Sequence, residues 1–418
     1  MTLYLANARH VDATSHAIRA GHLAVAPGPG GPVAFVDAIP PGAQVFDCGG
    51  RLVTRAFANA HHHVYSALAR GMPAPPRTPT SFVEILQLVW WRLDKALDDE
   101  MIRASARAIA VDALRCGCTF VVDHHASPNA AAGSLHLLAE AFDEVGVGHL
   151  LCYELSDRDG PERLAAGLDE TDAYLRTHRG LVGLHASFTV SDALLDRAVD
   201  LARQHDTGLH VHVAEAASDE QSCRAEHGTS IIERFARAGA LESSRTLLVH
   251  ALHLDDEERE RVAASPTWVV QNPESNRHNA VGTFDPRGLG DRILLGTDGM
   301  HSDMLASARA AYLDGQTTGG VSPDAIVRRL RRVHDYLVEG GFADDGNDLV
   351  VLDDPSPTPI TSENWSAHVL YGLGARHVHA VLRQGRLVVE RGEVLDVDVE
   401  RITAHAREQA TRLWERLR

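Results

Sequence analysis

The sequence predicts an α/β protein built on a (β/α)₈ barrel, with a small β-sandwich assembled from the two chain ends. Eight short apolar, β-rich runs recur between residues 56 and 298, and helical patterns separate most of them. Alternating strands and helices are typical of a parallel sheet, and eight repeats match a closed barrel. Short strands and turns before residue 57 and after residue 345 are too few to bury a core separately. We therefore expect them to pair with each other.

The predicted barrel strands are Ala56–His63, Thr119–His124, His149–Leu155, Leu181–Ser187, Gly208–Glu215, Thr246–Leu252, Thr267–Asn272 and Ile293–Asp298. The predicted helices include Asp98–Cys116, Ala130–Val145, Arg163–His178, Asp192–His205 and Thr229–Ala238. The resulting domains are residues 1–56 and 346–396 for the small β domain, 57–345 for the barrel and 397–418 for a C-terminal helix. Residues 65–95 form a long excursion after the first strand, where a lid or a substrate-contacting helix belongs.

Composition and charge narrow the class of protein. Of the 418 residues, 44% are hydrophobic and 23% are charged, as in ordinary soluble globular proteins. A formal net charge of −17 argues against nucleic-acid binding. No apolar run approaches the roughly 20 residues of a membrane span, and the N-terminus lacks a signal-peptide pattern. The five scattered cysteines indicate reduced thiols, so we expect a cytoplasmic protein.

Residues that can bind metals or transfer protons lie at the ends of the predicted strands, where barrel active sites are built. They are His61, His63, His185, His212, Glu215, His250 and Asp298. Side chains alternate faces along a strand, so His61 and His63 share one face and His62 takes the other. Imidazole and carboxylate groups without a thiolate suit Zn²⁺, with Fe²⁺ as the alternative. A catalytic zinc also binds a water and lowers its pKa to about 7.

Five motifs together resemble the amidohydrolase superfamily, and most of all its heterocycle-deaminase and chlorohydrolase branch. They are Asn59–His63, His212–Glu215, Leu248–His250, Asn272–Asn276 and Gly296–Asp298. Three further segments are similar to the SsnA-type aminohydrolases, which are associated with selenium metabolism. These segments are Tyr65–Met72, Trp90–Asp94 and Asp123–Pro128.

The resemblance implies a metal-dependent aminohydrolase that acts on a non-peptide C–N bond of a purine-, pterin- or triazine-like heterocycle. Metal-activated water would attack the amino-bearing ring carbon and release ammonia. The implied ligands of one divalent ion are His61, His63, His212 and Asp298. Binuclear relatives use a carboxylated lysine on a middle strand as a bridge, whereas the only lysine here, Lys95, lies outside the barrel strands. We therefore expect one metal ion per chain.

The implied catalytic residues are Glu215 as proton shuttle, and His250 and Asp298 as groups that take the proton of the water. The expected substrate contacts are His185, His125, Trp91 and Arg277. For His125 the alternative is a loop-capping role, and for Trp91 it is packing of the lid helix.

Two alternatives to deamination stay open. The same site could serve a hydrolytic dehalogenase or a cyclic amidohydrolase, although an acid at Glu215 favours deamination because a ring nitrogen must be protonated. An alternative of another class is a non-catalytic accessory protein in the maturation of selenium or molybdenum enzymes. A homodimer is expected from the resemblance.

Overall fold

The computed structural model describes residues 1–299, 301–343 and 345–418. In chain order its strands are Leu3–Val11 (β1), Ile18–Val25 (β2), Val33–Val36 (β3), Gln44–Asp47 (β4), Leu52–Arg55 (β5), Phe57–His63 (β6), Cys118–His125 (β7), Gly148–Leu155 (β8), Val182–Ala186 (β9), Leu209–Val213 (β10), Leu247–His250 (β11), Trp268–Gln271 (β12), Ile293–Leu295 (β13), Asp298–Gly299 (β14), Leu349–Leu352 (β15), Val378–Arg383 (β16), Arg386–Glu390 (β17) and Glu393–Val394 (β18).

The α-helices are Phe82–Ile85 (α1), Trp91–Ala96 (α2), Asp99–Arg115 (α3), Ser134–Val145 (α4), Pro161–Leu175 (α5), Asp192–Gln204 (α6), Ala217–His227 (α7), Ile231–Arg237 (α8), Asp256–Ala264 (α9), Pro273–His278 (α10), Met304–Thr317 (α11), Pro323–Glu339 (α12), Trp365–Tyr371 (α13) and Val399–Leu417 (α14). None of the helices in the described ranges is both long and apolar enough to cross a lipid bilayer.

Strands β6 to β13 lie side by side in sequence order, each parallel to the next, and β14 pairs with β6. The predicted barrel is therefore confirmed, except that its eighth strand is broken between Leu295 and Asp298. Gly296 lies in the break, where a Cβ would stand 2.4 Å from Oδ1 of Asn272 and 3.0 Å from Cβ of His61. Only glycine allows this close approach.

Both chain ends contribute to one mixed sheet in the order β18-β17-β16-β15-β5-β1-β2-β3, with β4 on β1. The joint between the ends is the antiparallel pair of β5 and β15, in which Arg55 faces Leu349. Buried side chains such as Leu5, Val53 and Val351 give this sheet a core of its own. The predicted union of the two ends is confirmed, and the exact domain boundaries stay a prediction.

The excursion after β6 covers the C-terminal face of the barrel. It contains α1 and α2, joined by a π-helical segment at Leu86–Trp90. π-Helical turns are rare in proteins, and many of those that occur lie at functional sites. The C-terminal helix α14 holds this region in place, because Arg92 donates a hydrogen bond to the Leu417 carbonyl (2.5 Å) and Trp414 donates one to the Leu68 carbonyl (2.8 Å).

A buried carboxylate ties the base of the barrel to the sheet of the chain ends. Asp345 accepts a hydrogen bond from Nδ1 of His334 (2.8 Å) and forms an ion pair with Arg55. Burial opposes the charge of Asp345, but His334 and Arg55 outweigh it and lower the pKa of the carboxyl. The resulting stabilisation is present above the pKa of an unfolded aspartate, about 4, and is lost as the pH falls toward the folded pKa.

Asp345→Asn is expected to destabilise the fold by about 2 kcal/mol at pH 7, because it removes the counter-charge of Arg55 and the charged acceptor of His334. Thermal unfolding of both proteins should show a constant difference from pH 7 to about pH 4 and a smaller one below. Asp396→Asn is the matched control, because Asp396 is exposed. Equal unfolding midpoints of the Asp345 variant and the wild type at pH 7 would contradict this account.

Candidate active site

Six of the residues predicted from the strand ends meet at the C-terminal face of the barrel. They are His61, His63, His212, Glu215, His250 and Asp298. Oδ1 of Asp298 lies 3.5 Å from Nε2 of His61 and 3.2 Å from Nε2 of His63. Nε2 of His63 lies 3.1 Å from Nε2 of His212. His62 contributes no atom to this cluster, in agreement with strand alternation.

Three residues at the cluster have backbone conformations that residues other than glycine rarely adopt. The φ angles are +47° at Ala214, +74° at His250 and +63° at Asp298. Such left-handed residues cost free energy and concentrate at functional sites. Ala214 follows β10, His250 ends β11 and Asp298 begins β14, and these conformations bring Glu215, His250 and Asp298 together.

The hydrogen bonds of His63 and His212 fix where their protons lie. Nδ1 of His63 faces the His124 carbonyl (2.7 Å), and Nδ1 of His212 faces the His185 carbonyl (2.8 Å). Because a carbonyl only accepts, each Nδ1 carries the proton, and a neutral ring then has a lone pair on Nε2. The two Nε2 atoms face each other and neither can donate. A cation between them would satisfy both.

His61 is oriented by a chain of buried groups. The Cys152 thiol donates to the Asp123 carbonyl, and Nδ1 of His210 donates to Sγ of Cys152 (3.5 Å each). Nε2 of His210 then accepts a hydrogen bond from Nδ1 of His61 (2.8 Å). This leaves a lone pair on Nε2 of His61, a buried atom with no hydrogen-bond partner. A hydrogen bond to the ring nitrogen that does not face the metal commonly orients a metal-binding imidazole.

The four predicted ligands fit a divalent ion. Burial lowers the pKa of His61, His63 and His212, so that the rings are neutral and able to coordinate. Burial opposes the charge of Asp298, but the close approach of the His61 and His63 rings lowers its pKa well below the usual value. Three imidazoles and one carboxylate without a thiolate are a donor set that suits Zn²⁺ or Fe²⁺.

The second carboxyl group of this cluster, that of Glu215, has a pKa shifted in the opposite direction. Burial, and then the charge of Asp298, raise the pKa of Glu215 well above its usual value. Two neighbouring carboxyl groups whose pKa values are driven apart can serve as an acid and an anion. Oε2 of Glu215 lies 3.5 Å from Nε2 of His250. Nδ1 of His250 donates to Oδ1 of Asn276 (2.8 Å), so Nε2 is free to accept a proton.

The cluster forms one wall of a cavity of about 250 Å³. Aromatic side chains line the cavity: Tyr65, Phe82, Trp90, Trp91 and Phe188. Two of the predicted substrate contacts, His185 and Trp91, line it and meet edge to face with ring centroids 5.9 Å apart. Nδ1 of His185 is 2.6 Å from the Thr189 hydroxyl, which holds the ring in place.

The other two predicted substrate contacts do not line the cavity. His125 is fully buried, and its Nε2 lies 2.9 Å from the Ser127 hydroxyl, which matches the loop-capping alternative. Arg277 turns toward α11, where its Nε donates to Asp314 (2.5 Å). Asn279, two residues further on, does line the cavity and donates a hydrogen bond to Oε1 of Glu215 (3.4 Å).

Two neighbouring charged residues of the cavity, Glu154 and Arg158, are among those not identified from the sequence. Glu154 is the penultimate residue of β8, and Arg158 follows it in the next loop. The strand itself was predicted, and a carboxylate at the end of its apolar run was the signal that could have identified Glu154. Arg158 carried no comparable signal, because its place depends on how the loop folds.

A family model described as "Amidohydrolase family" matches residues 52–329 of the chain. The chain belongs to the amidohydrolase family. A 5-methylthioadenosine/S-adenosylhomocysteine deaminase of Pelotomaculum thermopropionicum is 27% identical to this amidohydrolase, over 95% of the chain and 93% of the relative. A 5′-deoxyadenosine deaminase of Methanopyrus kandleri is 28% identical over 85% of each chain.

Solved structures have the same fold. An adenosine deaminase from Xanthomonas campestris with bound zinc superposes with a TM-score of 0.81, at 22% identity and 98% coverage of both chains. The predicted membership of the amidohydrolases is thus confirmed, and the narrower resemblance to the SsnA-type proteins stays a prediction.

Proposed function

We propose that this amidohydrolase is a metal-dependent deaminase that replaces the exocyclic amino group of a purine-like heterocycle by oxygen and releases ammonia. The observation that carries the proposal is the pairing of Glu215, whose raised pKa keeps it protonated, with His250, whose Nε2 can accept a proton. Deamination of a ring needs both an acid and a base beside the reacting carbon.

The metal would be held by His61, His63, His212 and Asp298. A divalent ion there supplies a Lewis acid that lowers the pKa of a water molecule. Zn²⁺ is our first choice and Fe²⁺ the alternative, because both accept imidazole and carboxylate ligands.

The residues of the chain move the protons. Nε2 of His250 accepts a proton from the attacking water, with Oδ2 of Asp298 3.7 Å away to stabilise the resulting imidazolium. Glu215 donates its proton to a ring nitrogen, so that the ring can accept electrons as the C–O bond forms. The proton on His250 then passes to the amino group, the C–N bond breaks as the hydroxyl proton returns to Glu215, and ammonia leaves. The cavity walls, rich in aromatic rings, stack on a flat ring and exclude bulk water.

The acid at Glu215 also decides between the rival functions. A departing halide needs no proton, whereas a departing amine does. A metal-binding accessory protein without turnover would have no use for a buried, protonated carboxyl beside a free imidazole nitrogen, because an uncompensated buried acid destabilises the fold. Deamination therefore uses more of the observed groups than dehalogenation or a purely accessory role.

The 6-aminopurine nucleosides are the first substrates to test, since the two relatives named above are deaminases of adenosine derivatives. The zinc-loaded protein should release ammonia from at least one member of a panel of adenosine, 5′-deoxyadenosine, 5-methylthioadenosine, guanine, pterin and an aminotriazine. A chlorotriazine, assayed for chloride, tests the dehalogenase alternative. Chloride release without ammonia, or no turnover of any compound, would overturn the proposal.

A reducing compartment and a homodimer belong to the same proposal. The five cysteines are all free, and four of them are buried, as in a protein that stays reduced. Light scattering of the purified protein would test the expected dimer.

A further inference from the structure

Glu154 is a cavity residue to which the proposed reaction gives no role. Its side chain is 4% exposed and lines the cavity. A carboxylate oxygen of Glu154 lies within 4.8 Å of ring nitrogens of both His124 and His212. Because His212 is a proposed metal ligand, any group that contacts Glu154 is close to the reacting part of a bound substrate.

The contacts that this carboxylate makes with the protein are long, so its oxygens can still accept hydrogen bonds from a ligand. Arg158 approaches Oε1 only to 3.3 Å and His124 approaches Oε2 only to 3.5 Å. Nε2 of His124 faces the carbonyls of Leu184 and His210 (3.1 Å each), and this fixes the ring beside Glu154. Each carboxylate oxygen can accept two hydrogen bonds, so a donor of the substrate can add to these contacts.

The carboxylate is nevertheless held as an anion in a fixed place. Burial opposes its charge, but the attraction of His185 and Arg158 outweighs burial and lowers the pKa of Glu154. Arg158 is itself fixed by ion pairs with Asp94 and Asp159, and its guanidinium lies 5.1 Å from the centre of the Trp91 ring. The acceptor is therefore preorganised, which is what selective recognition requires.

We infer that Glu154 accepts a hydrogen bond from an N–H or O–H group of the substrate, and that it selects heterocycles which carry such a donor in addition to the departing amino group. This inference rests on the proposed deaminase function. The ring of adenine offers only acceptors at its other nitrogen positions when it is part of a nucleoside. The donor must then be a second amino group or ring N–H on the heterocycle, or a hydroxyl of the attached sugar.

Two pairs of compounds separate these sources. 2,6-Diaminopurine riboside and adenosine differ by one amino donor on the ring, and adenosine and 2′,3′-dideoxyadenosine differ by the sugar hydroxyls. The wild type should prefer the donor-bearing member of one pair. In that pair, Glu154→Gln should lower kcat/KM by about ten-fold or more for the donor-bearing compound and leave the other nearly unchanged, because a charged acceptor is lost.

The matched control is Glu170→Gln, which changes a buried carboxylate that accepts from the backbone of Gly133 and Leu135, away from the cavity. Its selectivity should equal that of the wild type. Metal content must be the same in all three proteins. An equal loss for both members of both pairs in Glu154→Gln would overturn the inference, because it would assign Glu154 a structural role.

Equilibrium binding of the same compounds by calorimetry gives a readout that does not need turnover. Donor-dependent binding that Glu154→Gln removes would support the inference even if no ammonia were formed, and in that case only the deaminase proposal would fail. Turnover by the wild type together with unchanged selectivity in Glu154→Gln would sink the inference and leave the deaminase proposal standing.

Discussion

Glu215→Gln is expected to lower the rate of ammonia release by about a thousand-fold, within the range that general acid–base catalysis contributes. The amide has nearly the same shape but no acidic proton, so the ring nitrogen receives none. The hydrogen bond from Asn279 reaches Oε1 of Glu215, and this contact can persist with the amide oxygen of the variant. The substitution therefore tests proton transfer and leaves the cavity shape nearly unchanged.

Two measurements make this result specific. The metal content of Glu215→Gln should equal that of the wild type, because Glu215 is not among the four proposed ligands. Glu170→Gln, the buried control, should keep the wild-type rate. A Glu215→Gln protein with full activity would show that the proton comes from elsewhere.

His212→Ala is expected to abolish both metal binding and turnover. It removes one of the two facing Nε2 lone pairs, 3.1 Å apart, on which the assignment of the cation site depends. The remaining ligands, two imidazoles and one carboxylate, hold a divalent ion more weakly than four do. Elemental analysis should give about one metal ion per wild-type chain and much less in the variant.

The matched control is His136→Ala, on α4, because His136 lies outside the cluster. This protein should bind metal as the wild type does. A His212→Ala chain that still bound one ion with wild-type affinity would place the metal elsewhere.

The barrel could be predicted because its strands are apolar, β-rich runs with helical patterns between them, and these are local properties of the sequence. The break in the eighth strand could not. Gly296 lies inside an apolar run that resembles an uninterrupted strand, and its close approach to Asn272 and His61, which are distant in sequence, is visible only in the structure. Tertiary contacts override local pattern at such a position.

The proposed ligands could be found because strand alternation and the position of strand ends determine where their side chains point. His61 and His63 needed only the period of two residues along β6. Arg277, on a short helix after β12, was expected in the cavity but pairs with Asp314, since helix rotation and a partner on α11 decide its direction. Glu154 lies near the end of a predicted apolar run, but its place beside His212 and Arg158 is visible only in three dimensions.

Titration of metal into the metal-free protein, with ammonia release as the readout, tests the central claim most directly. The protein should be inactive without metal, and activity toward a substrate found in the panel should rise linearly with added Zn²⁺ or Fe²⁺ and level off at about one ion per chain. Activity that is independent of metal, or that requires two ions per chain, would contradict the account of a single metal held by His61, His63, His212 and Asp298.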